Sequence, residues 1–97
     1  MDVYCAEFSL RGKDPNGKEI IFEGYSEHVW IGEKRDQEGN KRDMLHFAAD
    51  SLDMPIGEIC QVVVDLGGTI DYDCNWLDAY VPMRCVRSIT FADVEPY

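Results

Sequence analysis

The chain's periodicities predict an α+β domain, an antiparallel sheet of about four or five strands with two helices packed on one face, in the order ββ(β)–αα–ββ. Three observations carry that expectation. A period-two alternation opens the chain, a helical spacing of apolar residues occupies 41–66, and two further strand-like runs close it. Ninety-seven residues suit a single domain over 1–97, and a hydrophobic content of 45% supplies the apolar surface that acidic disordered chains lack.

In residues 3–12, Tyr4, Ala6, Phe8 and Leu10 fall on one face and Val3, Cys5, Glu7, Ser9 and Arg11 on the other. This is a strand with one strongly apolar side. Asp14-Pro15-Asn16-Gly17 is a turn, because proline presets φ and Asn-Gly tolerates positive φ. Residues 20–25 form the second strand of that hairpin, and 28–31 a short third strand or its continuation. The run 33–43 reads as a solvated turn, since Glu33, Asp36, Glu38 and Asp43 nearly neutralise its two Lys-Arg pairs.

From 41 to 52 the spacing turns helical. Leu45, Ala48, Ala49 and Leu52 make one stripe, and Asp43, His46, Asp50 and Asp53 the opposite one. Asp53-Met54-Pro55 breaks this helix, with Asp53 as N-cap and Pro55 early in a second. Ile56, Ile59, Cys60 and Val63 fit the second helix's buried stripe, and Gly67-Gly68 ends it. The β-branched run Val62-Val63-Val64 leaves a strand open over 56–66. Residues 69–81 and 84–94 read as two strands on either side of a turn at Pro82.

Charge is distributed unevenly. Between Asp43 and Met83 there are eight carboxylates and no lysine or arginine, so this block supplies −8 of the formal −10. A surface of one sign attracts basic partners over roughly a Debye length, about 8 Å at physiological salt. On a helix, Asp43, Asp50 and Asp53 would stand in one row, and short aspartate side chains lose little entropy when a partner fixes them. Tyr72, Trp76 and Tyr80 are interleaved with the later acids, a mixture suited to a protein interface. The bland reading of the same acids is a polar surface that keeps the chain in solution.

Other chemistry is poorly served. Residues 45–65 resemble a helix-turn-helix pair, but its second helix offers Glu58, Gln61 and Asp65 and no base, so phosphate would repel it. Asp71-x-Asp73-x-Asn75 starts like a calcium loop, yet Trp76 stands where glycine is required and Pro82 where a bidentate glutamate belongs. Cys5, Cys60, Cys74 and Cys85 are far apart, with no close spacing among themselves or with His28 and His46, so reduced thiols are expected rather than zinc ligands or a disulfide framework. No spacing selects a Cys–His–Asp catalytic set, and neither a glycine-rich phosphate loop nor a GxSxG elbow occurs. No signal peptide or membrane span is expected.

Taken whole, from MDVYCAEFSLRGKDPNGKEIIFEGYSEHVW to its acidic end, the sequence resembles the small phage-type anti-CRISPR proteins, within them the DNA-mimicking group active against type I-F surveillance complexes. No short motif carries the resemblance, so no residue role transfers with it. It implies an inhibitor without enzymatic activity or cofactor, acting in the cytoplasm of an infected bacterial host. Such a protein would bind the Cas subunits of an RNA-guided complex where target duplex docks, without touching nucleic acid or membrane. The residues agree in sign: Asp43, Asp50, Asp53, Glu58, Asp65, Asp71, Asp73 and Asp78 would meet basic side chains that ordinarily hold phosphate. The alternative is an immunity protein that neutralises a basic nuclease toxin.

Overall fold

A computed structural model describes residues 4–52 and 54–92, which form one six-stranded antiparallel sheet, one α-helix and a 3-10 turn. The strands are β1 (Tyr4–Lys13), β2 (Glu19–Arg35), β3 (Lys41–Asp50), β4 (Thr69–Asp73), β5 (Trp76–Pro82) and β6 (Val86–Phe91). They are ordered β4-β5-β3-β2-β1-β6, and the helix α1 (Ile56–Asp65) lies between β3 and β4 in the chain. The expected pair of helices on a four- or five-stranded sheet is therefore wrong.

The error lies at 41–52, which is a strand and not a helix. β3 sits inside the sheet and is buried on both sides: Leu45, Phe47 and Ala49 on one, Met44 and Ala48 on the other. A strand covered on both faces loses its alternation and becomes an apolar run, which a helical template also fits. Leu52, the fourth member of the supposed stripe, is 85% exposed. With the first helix gone, the helix-turn-helix pair goes too.

β2 is one strand of 17 residues, joining the two segments that the sequence left separable. It pairs with β1 through Glu19–Ser26 and again at Val29, opposite Tyr4, and with β3 through Val29–Arg35. Ile20 and Phe22 pack against the core and Val29 lies within it, so the inward parity changes between Ser26 and Val29. This is a β-bulge, opposite the register shift between Tyr4 and Ala6. Ser26 fixes it: its hydroxyl donates to the Ala48 carbonyl at 2.7 Å and accepts the His28 N–H at 3.1 Å.

The bulge lets the sheet curl. Pro82 pairs with Met44, which faces Gly32, while Val86 pairs with Leu10, which faces Phe22. Were β2 straight, Phe22 and Gly32 would stand about 33 Å apart. The link from Pro82 to Val86 can span only about 14 Å. β2 must therefore bend, and the 3-10 turn Met83–Cys85 accordingly packs against both β1 and β3. The concave side holds Phe8, Leu10, Val29, Leu45, Phe47, Leu77 and Val81, closed by Ile59, Val63 and Leu66 of the helical segment. Each such side chain contributes about 1.5–3 kcal/mol relative to exposure.

Pro55 occupies the N-cap position of α1 with no side-chain cap; the expected cap, Asp53, lies outside the described residues. Gly67, at φ 84°, ends the helix in a Schellman motif: Gly68 N–H donates to Val63 C=O at 2.8 Å and Gly67 N–H to Val64 C=O at 3.0 Å. The single strand expected over 69–81 is two, β4 and β5, joined tightly through Cys74 and Asn75 with Cys74 at φ 56°. At the other hairpin tip only 36–40 turn, and the Arg42 guanidinium beside Asp36 holds its carboxyl below the usual range. Of the last expected strand, 84–94, residues 84 and 85 belong to the 3-10 turn and 86–91 form β6; residues 93 and 94 are outside the described residues. Among the described residues no helix is long and apolar enough to cross a membrane.

Candidate functional site

Residues paired across antiparallel strands point to the same face. On the convex face, away from α1, the register therefore lays out three rows. Trp30, His46, Tyr80 and Thr69 form the first, Ala48, Asp78 and Asp71 the second, and Asp50, Trp76 and Asp73 the third. Aromatic rings and carboxylates thus alternate over four strands.

The rings are held by each other and by polar contacts. His46 stacks on Tyr80 with centroids 4.5 Å apart, and its Nε2–H donates to Asp78 Oδ1 at 2.8 Å. His28 meets Trp76 edge-on at 5.4 Å. The Trp30 indole lies over Gly32, where a Cβ would fall within its six-membered ring, so only glycine admits this pose. Lys34, on the same face, places its ammonium 5.0 Å from the Trp30 centroid and 5.6 Å from that of Tyr80.

Asp71 and Asp78 sit directly opposite on neighbouring strands, like charges in the position that costs stability. Asp73 follows two residues along from Asp71, about 7 Å away on the same face. Burial first, then the charges of Asp78 and Asp71, push the Tyr80 phenol above its ordinary 10.0. Above Ala48, whose small side chain leaves a floor, a hollow of about 190 Å³ is walled by His28, Trp30, His46, Trp76 and Asp78. A wider groove of about 920 Å³ runs beside it between β2 and the start of α1, and its charged lining is entirely acidic: Glu23, Glu27, Asp50 and Glu58.

Of the eight acids that the sequence singles out, the fold gathers Asp50, Asp71, Asp73 and Asp78 on this face, and Glu58 joins Asp50 along the groove. Asp43 does not belong. On a helix it would share a side with His46 and Asp50, but on a strand odd and even positions part, and it lies about 24 Å along β3 from Asp50, opposite Glu33. Asp65 ends α1, where Gln61 donates to it at 2.9 Å, on the other side of the sheet. Asp53 is outside the described residues.

Tyr72 also parts from its companions, since it pairs with Leu77 on the helix side, 52% exposed. In exchange the site takes in His28, Trp30, Lys34, Glu23 and Glu27 of β2, all outside the acidic block. The alternation of His28 and Trp30 against Val29 and Ile31 was the available signal for two of them.

Among the described residues no group of three His, Cys, Asp or Glu is placed to hold a metal ion. The four cysteines are free thiols; Cys5 and Cys85 are buried, and burial pushes the Cys85 thiol above its ordinary 9.0. No protein-family model, curated protein or solved structure matches the chain.

Proposed function

We propose that this chain is a non-enzymatic binding protein whose convex sheet face occupies a basic, nucleic-acid-binding surface of a protein partner. The resemblance of the sequence names that partner: Cas subunits of a type I-F surveillance complex, blocked from target duplex. One observation carries the reading. Four carboxylates, two of them directly opposed, share a face with Trp30, Trp76 and Tyr80, and Lys34 lies over two of those rings. Like charges held this close are relieved when lysines or arginines arrive. The aromatic rings supply the apolar contact that sets residence time. The interface is then Asp50, Asp71, Asp73 and Asp78 with Glu58 at its rim; Asp43 and Asp65 stand outside it.

Competition with duplex DNA for a purified surveillance complex, repeated over a salt series, tests this. The expected result is inhibition that weakens as DNA or salt rises, and that the double variant Asp71→Lys/Asp73→Lys loses. Inhibition indifferent to DNA and salt, or unchanged in the double variant, refutes it. Co-purification of a single basic nuclease domain in place of Cas subunits would transfer the same face to the immunity-protein reading.

A further inference from the structure

We propose that the hollow above Ala48 is an anchor site for one arginine side chain of the partner. This rests on the convex face being the interface and specifies what enters it. The walls are two indoles, two imidazoles and one carboxylate, and the floor is the methyl of Ala48. Indole faces attract cations, and a planar guanidinium stacks on them while donating to a carboxylate at its edge. Asp78 is placed for that role. Its Oδ1 accepts from His46, its other oxygen is uncommitted to that bond, and its side chain is 30% exposed.

Size narrows the occupant. At roughly 30 Å³ per water, a hollow of about 190 Å³ holds about six water-sized atoms. An arginine side chain fits that space, with its terminal nitrogens against Asp78. The molecule also shows that this surface seats a cation, because the Lys34 ammonium already rests on Trp30 and Tyr80 at the neighbouring position. Lys34 shows that these rings hold a cation at the neighbouring position; the hollow brings Trp30 and Trp76 together with the Asp78 carboxylate.

The test uses the intact protein with its indole N–H groups observed by NMR, Trp30 and Trp76 being assigned through Trp→Phe variants. N-acetyl-arginine amide is the probe, and the uncharged N-acetyl-citrulline amide is the matched control. The expected result is a saturable shift of both indole signals with arginine and none with citrulline. Ala48→Leu, which fills the hollow from its floor, abolishes the shift, and Ala48→Val serves if the larger residue disturbs folding. Equal shifts from the two probes, or an undiminished arginine shift when the hollow is filled, overturn the anchor.

The surveillance complex then separates the two ideas. If Ala48→Leu lowers affinity at least tenfold while its unfolding midpoint stays put, the anchor holds. If Asp71→Lys/Asp73→Lys weakens binding and Ala48→Leu does not, the anchor fails and the face survives. If the indoles take arginine but no complex is bound, the anchor stands and the proposed partner falls.

Discussion

Replacing Asp71 by asparagine should make the fold more stable and its grip on a basic partner weaker. Asp71 lies directly across from Asp78 on the adjacent strand, so the two Cβ atoms are about 5 Å apart and the carboxylates about 6 Å. Asp71 is exposed while the Asp78 side chain is 30% exposed, so the dielectric of water, near 80, sets the lower bound on their repulsion, about 0.7 kcal/mol at that distance. A Debye length of about 8 Å reduces it to about 0.3 kcal/mol at physiological salt. For a chain of this size, 1 kcal/mol moves the melting midpoint by about 4–8 °C, so Asp71→Asn should gain about 2–4 °C in dilute buffer. In 1 M sodium chloride the Debye length is about 3 Å and the gain should vanish. Asp78→Asn alone also weakens the bond from His46, so a double-mutant cycle is needed to isolate the pair. Thermal melts at pH 8 across a salt series give all four corners. A midpoint that falls in Asp71→Asn, or a gain as large at 1 M salt as at 20 mM (about the lowest usable strength), would show that these carboxylates do not oppose one another.

Ser26→Ala leaves the Ala48 carbonyl without its donor at the bulge and should cost about 1–2 kcal/mol in urea unfolding. Gly32→Ala displaces the Trp30 indole and with it the seat of Lys34; partner affinity should fall several-fold, while stability changes by less than about 1 kcal/mol, read from titration and melts on the same sample. Cys74→Gly relieves a left-handed non-glycine residue in the β4–β5 turn and should stabilise by about 0.5–1 kcal/mol in chemical denaturation. Cys85 and Tyr80 have folded-state values raised above the ordinary 9.0 and 10.0, chiefly by burial. Their contribution is fully present below those ordinary values and is lost as pH climbs through the raised ones, so the melting midpoint should decline above about pH 9; a flat profile to about pH 11 would contradict this.

The residues that revealed themselves in the sequence are those whose reason is local. Asp14-Pro15-Asn16-Gly17 turns because of its own backbone preferences, and Asp14 Oδ1 accepts the Asn16 and Lys18 N–H groups within the same turn. Gly67-Gly68 ends a helix through the φ that Gly67 alone adopts cheaply. The residues that misled are those whose reason is tertiary. Met44, Leu45, Phe47, Ala48 and Ala49 are apolar because strands flank β3 on both edges and side chains cover it on both faces, and so short a run fits either period. That ambiguity spread into the site. A helical 41–52 places Asp43 beside Asp50, whereas the strand sends the two to different faces and opposite ends. Cys74-Asn75 carries no glycine or proline, so the hairpin that turns Asp71 toward Asp78 left only the weaker turn signal of Asp73 and Asn75.

An acidic edge strand has an ordinary explanation. β4 is short and lies at the margin of the sheet, where carboxylates deter pairing with another chain. That accounts for Asp71 and Asp73. It does not account for Asp78 on β5 or Asp50 on β3, which sit on interior strands whose edges are already paired. Nor does it explain why the Trp30 indole is accommodated over a glycine on the same face instead of turning into the core. An interior carboxylate opposite another carboxylate costs stability that a neutral residue would restore, and a half-buried indole held on the outer face gains less for the folded chain than one in the core. A cationic partner covering the face, as proposed, would offset both. If Asp78→Asn left partner affinity intact while Asp71→Asn and Asp73→Asn reduced it, edge protection with incidental binding would be the better account.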